Sequence, residues 1–108
     1  MEPKLYRQGD VLIVPIDTPP TNTRPVKREN GRAILAHGEV TGHAHAIIEE
    51  TANLVTAEGA AELYLLVHGA AAVALTHDEH DTIMLPPGQY EIRRQREYSP
   101  EEIRNVAD

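Results

Sequence analysis

ELYLLVHGAAAVALTH, residues 62–77, is the stretch whose reading decides the fold. It lies in an Ala-rich region, from Ala57 to Ala74, that would favour helix on propensity alone. Gly59 and Gly69 bracket that region, and the Val, Tyr and Leu residues between them suit a pleated, half-buried surface. The balance favours strands. Residues 62–68 and 71–77 then become two strands, with Gly69-Ala70 predicted as a hairpin turn between them.

Working outward supports the same class. Downstream, HDEHD (77–81) reads as a tight polar turn, 82–85 as a short strand and Pro86-Pro87-Gly88 as a turn. Residues 89–98 form a long alternating strand, with Tyr90, Ile92, Arg94 and Arg96 on one face and Glu91, Arg93, Gln95 and Glu97 on the other. Ser99 and Glu102 make a capping box around Pro100, which predicts a short terminal helix at about 100–107. Upstream, residues 43–50 (HAHAIIEE) and 32–37 read as strands joined by the GEVTG turn, and 54–56 as a short strand. Residues 17–31, rich in Pro, Thr and Asn, are expected to be an extended loop or β-arm. Residues 11–16 (VLIVPI) and 4–8 complete the set, with Gly9-Asp10 as the turn between them. The expectation is all-β, mainly antiparallel: one small domain over 1–108, a barrel or sandwich with a short C-terminal α-helix.

Composition narrows the possibilities. With 108 residues, no Phe, no Trp and four Tyr, the core must be aliphatic. The absence of Cys excludes disulfides and thiolate metal sites. A net charge of −7, with Arg93, Arg94 and Arg96 flanked by Glu91 and Glu97, argues against a nucleic-acid partner. No apolar run approaches the roughly 20 residues that span a bilayer, so no membrane partner is expected. The N-terminus lacks an apolar signal stretch, so the expected compartment is the cytoplasm. Phosphate-cradling and nucleophile-elbow motifs are absent.

The six histidines carry the functional signal. His43 and His45 are two apart, so on a strand both rings project from one face, and Glu49 has the same parity. Two imidazoles and a carboxylate suit a divalent metal while leaving coordination positions open for water or substrate. His77 and His80, three apart in a turn, can reach one centre and converge with the first pair if their strands are neighbours. His37 sits at the mouth of the GEVTG turn and is a weaker candidate. His68 is weaker still. Arg94 and Arg96 share a strand face and could grip a carboxylate or phosphate, although ion pairs with the abundant acids are the favoured reading.

These residues resemble the cupin family of small β-barrels. His43-Ala44-His45-Ala46-Ile47-Ile48-Glu49 matches the first cupin motif, H-x-H followed by E. Pro86-Pro87-Gly88 stands where the second motif has P-x-G, with His80 in its Gly position and Glu91 in place of its last His. The resemblance implies a barrel and a metal held by His43, His45 and Glu49, with Glu91, His77 or His80 as a fourth ligand. The chain is also similar, over most of its length, to uncharacterised small bacterial and phage proteins sharing YRQGDVLIV, GEVTGHAHAI and LPPGQYEIRRQREYSPEEIR. That likeness implies no activity.

The expected function is a divalent-metal-binding β protein acting on a small-molecule substrate. Its metal ligands would be His43, His45, Glu49 and His80, and its candidate catalytic residues His77, His80 and Glu91. Zinc is the favoured metal, with iron, nickel or manganese as options. Metal-activated water would serve a hydrolase or lyase, and iron would serve cupin-type oxygen chemistry. The competing expectation is a non-catalytic β module that assembles through its loop and sheet edges. Either would suit a homo-oligomer.

Overall fold

A computed structural model describes residues 5–38, 42–57 and 63–94. They form an all-β, mainly antiparallel structure of ten strands. β1 (Tyr6–Gln8), β2 (Val11–Pro15), β10 (Gly88–Arg94), β7 (Leu63–Val67), β6 (Ala52–Ala57) and β3 (Thr23–Pro25) make one six-stranded sheet in that spatial order. β4 (Ala33–His37) pairs with β5 (Ala44–Ile47), and β8 (Val73–Leu75) pairs with β9 (Ile83–Leu85). The two small sheets are joined by an antiparallel bridge, in which Ala46 N–H donates to Thr76 O at 3.0 Å and Thr76 N–H to Ala46 O at 2.9 Å.

The six-stranded sheet and the two smaller ones contribute to a single, mostly aliphatic cluster. Val11, Ile13, Leu54, Leu65, Val67, Tyr90 and Ile92 come from the six-stranded sheet, and Leu35, Ile47, Val73, Leu75 and Leu85 from the smaller ones. Strand alternation explains the choice, since Val11 and Ile13 point inward while Leu12 and Val14 are half-buried. Ala44 and Ala46, on the other face of β5, pack against Ile34.

The structure corrects two expectations. The sheets are not closed into a barrel. Gly69-Ala70 does not turn a β7–β8 hairpin: β7 is a central strand flanked by β6 and β10, so the chain crosses from it to the other layer, where β8 meets β9. Within residues 17–31, β3 adds to the sheet edge beside β6, a place where Pro25 needs no ladder donor. Arg28 fastens this segment, donating to the carbonyls of Gly31, Ala52, Ile47 and Ile48. No helix occurs among the described residues, and the helix expected at about 100–107 lies outside them. Among the described residues, therefore, no helix is long and apolar enough to cross a membrane.

Candidate metal centre

The Ala46–Thr76 bridge places His45 directly across from His77, one step further along each strand. Their ring centroids are 4.3 Å apart. His80 completes a trio, with its centroid 4.7 Å from His77 and 5.9 Å from His45. His43 stands edge-on to His77 at 5.8 Å. The four rings named by the H-x-H pair and the HDEH turn are thus neighbours.

His45 is the fixed point. It shares a face of β5 with Ile47, which is wholly buried in the core, and is itself only 2 % exposed. Gln8 sets its tautomer. The Gln8 Nε2 donates to Leu75 O and Asp81 O, both at 2.9 Å, and those carbonyls can only accept. Gln8 Oε1 must therefore be the acceptor from His45 Nδ1–H at 2.8 Å. The Nε2 of His45 is left with its lone pair facing the site. Burial, reinforced by the neighbouring His77, pushes the His45 pKa down to about 4, so the ring is neutral at physiological pH.

The turn between β1 and β2 supplies the opposite wall. Asp10 Oδ1 lies 3.8 Å from His45 Nε2, and its Oδ2 accepts from Arg94 Nε at 2.7 Å. Burial raises the Asp10 pKa, but the Arg94 hydrogen bond and charge outweigh it and leave the carboxyl below its ordinary value. Gly9, at φ +60°, has no side chain where the His80 ring lies: a Cβ there would meet His80 Nε2 at 2.7 Å. Gly38 makes similar room, since its Cβ would meet His77 Nε2 at 3.2 Å.

The remaining histidines and acids have other partners. His77 Nδ1 accepts from Glu79 N–H at 3.0 Å. His43 Nδ1 contacts Glu79 Oε1 at 3.2 Å, with Asp78 Oδ2 at 3.8 Å from its Nε2. Glu49 lies beyond the end of β5, where strand parity no longer governs it, and its Oε2 accepts from Ala74 N–H at 3.0 Å. Glu91 faces away from Tyr90 and Ile92 and pairs with Arg93. His37 is exposed and contacts Glu29, and His68 is exposed at the end of β7. Among the described residues, no three His, Asp or Glu side chains have donor atoms already gathered tightly enough to hold an ion.

Gln8 and Asp10 went unread in the sequence as parts of a site. The one available signal was Gly9-Asp10, which marks a tight turn but not what the turn faces.

A family model described as Domain of unknown function (DUF8820) matches residues 7–95. The chain belongs to that family. The match takes in all of the residues around the histidines, fits the likeness to uncharacterised small proteins, and includes no cupin family. No curated protein and no solved structure matches the chain.

Proposed function

We propose that this protein binds a divalent transition metal through His45, His77 and His80, with Asp10 as an oxygen donor, and uses it on a small-molecule substrate. The observation that carries the reading is the tautomer of His45. A buried, neutral imidazole whose Nδ1–H is held by a second residue, leaving Nε2 free, is the usual arrangement behind a metal ligand. Ring spacing supports it. Imidazoles sharing one tetrahedral ion at a metal–nitrogen distance of ~2.1 Å have centres roughly 5 Å apart, and the trio spans 4.3 to 5.9 Å.

Binding requires rearrangement on one side of the site. His77 must give up the Glu79 N–H, a hydrogen bond worth about 1 kcal/mol, and His80 must turn in from its exposed position. Both belong to the turn between β8 and β9, whereas His45 stays fixed. An imidazole and carboxylate donor set without thiolate suits zinc, and accommodates iron, nickel or manganese. Held by these residues, such a metal would supply Lewis-acid activation of water near neutral pH, the chemistry of hydrolysis and hydration. In this reading His43 stays with Glu79 and Asp78, orienting the turn, while Glu49 and Glu91 stand outside the coordination sphere.

Elemental analysis of protein purified without a His tag tests the proposal. The expected result is zinc at close to one equivalent after dialysis, lost in His45→Ala and in the His77→Ala, His80→Ala double variant. Metal-free protein whose stability responds neither to added zinc nor to chelator would defeat it.

A further inference from the structure

We propose that the cavity beside Arg94 binds a small aliphatic carboxylate, and that such an acid is the substrate of the histidine centre. The assignment as substrate rests on the metal-centre reading above.

The cavity, open to solvent on one side, has a volume of about 470 Å³ and is lined by Val11, Leu35, Leu63 and Ile92 together with Arg93 and Arg94. That size is ordinary for a small-molecule site, and aliphatic walls with one convergent charged group are its usual construction. Arg94 is on the same face of β10 as Tyr90 and Ile92, so its stem runs along the inner side of the sheet to the sheet's end. There Nε donates to Asp10 Oδ2 at 2.7 Å and Nη2 to His37 O at 2.9 Å. These bonds hold the guanidinium plane in place. They use two of its five N–H groups, and the structure gives the other three no acceptor among the described residues. Arg93, also at the cavity, is engaged by Glu91.

Arg94 also ties the cavity to the histidines. Asp10 contacts Arg94 through one oxygen and lies 3.8 Å from His45 Nε2 through the other. A ligand head group on the guanidinium would therefore lie one carboxylate away from the proposed metal. Charge selects the head group. A carboxylate matches the fork of a guanidinium and carries a single negative charge, whereas a phosphate would bring a second charge against Asp10. The apolar walls select the remainder, an aliphatic chain.

The test is a titration of the full chain, metal-free and zinc-loaded, with straight-chain monocarboxylates from acetate to hexanoate and with inorganic phosphate. The expected affinity rises roughly three- to fourfold per added methylene and rises again on zinc loading, while phosphate binds more weakly. Arg94→Gln is expected to weaken binding by about tenfold or more, and Arg94→Lys, which keeps the charge and loses the fork, to fall between. Leu63→Trp, which fills the cavity from β7, is expected to abolish the chain-length dependence without changing zinc content. Affinity independent of chain length, indifference to Arg94→Gln, or tighter binding of phosphate overturns the inference. Zinc bound at one equivalent with no response to any carboxylate overturns it and leaves the metal centre standing. Arg94-dependent carboxylate binding by a chain that takes up no zinc supports the cavity and defeats the metal centre.

Discussion

Gln8 and His45, 37 residues apart in the chain, are joined in the buried interior by a hydrogen bond whose direction is determined by the two carbonyls that Gln8 also serves. Gln8→Glu keeps an acceptor for His45 but sets a carboxylate oxygen against Leu75 O and Asp81 O. It is expected to destabilise the fold by about 2–4 kcal/mol at neutral pH. Gln8→Ala is expected to lower zinc affinity by roughly 10–100-fold by releasing the tautomer. Urea denaturation and competitive zinc titration measure the two effects. A Gln8→Glu protein as stable as the parent would show that the amide is assigned the wrong way round.

The depressed pKa of His45 makes the metal-free protein acid-sensitive. In the unfolded chain this ring takes up a proton near its ordinary value of 6.5, and in the fold only at about 4. Between these values the unfolded state binds more protons, so stability falls as pH drops through the window and the loss levels off below it. The loss from this one group is on the order of 3 kcal/mol. It should be much reduced in His45→Gln, which cannot titrate. Denaturation midpoints from pH 7.5 to 3.5 in chelator, compared between the two proteins, give the answer.

Gly9 is required twice, by its backbone and by its neighbour. Gly9→Ala places a β-carbon in a positive-φ turn and 2.7 Å from His80 Nε2. The backbone part is expected to cost about 1 kcal/mol. The ring is forced away, so zinc affinity should fall by more than the stability loss explains. A zinc titration unchanged by the substitution would remove His80 from the ligand set.

Arg28 holds the 17–31 segment by carbonyl contacts on both sides of the β5–β6 connection. Arg28→Ala is expected to destabilise by about 2–3 kcal/mol, and Arg28→Lys to recover less than half of it, since one ammonium cannot reach the same set of carbonyls. Faster protease cleavage within 17–31 in both variants, ahead of global unfolding, is the accompanying readout.

Much of the strand pattern was legible in the sequence because alternation and β-branched runs report burial directly, as in residues 11–16 and 89–94. Gly69-Ala70 misled because a glycine announces a change of direction without naming the next partner. β3 was hidden because all three of its residues are exposed and one is proline. Parity put His43 and His45 on one face, and the three-residue spacing of His77 and His80 brought both to one turn. Parity also grouped Glu49 with them, but parity holds only while a strand continues, and β5 stops at Ile47. Gln8, Asp10 and Arg94 reach the site from distant parts of the chain, and no local pattern carries such proximity.

The reciprocal pair of hydrogen bonds between Ala46 and Thr76 acts as a register pin. The facing rings of His45 and His77 are carried by the very next residue on each strand, so the geometry between them is insensitive to the length of the connections that flank β6 and β7. Insertions and deletions among relatives are expected to gather in those connections and to spare β6 and β7 themselves, whereas a single residue added between His45 and Ala46, or between Thr76 and His77, would turn one ring to the far side of its strand and separate the pair for good.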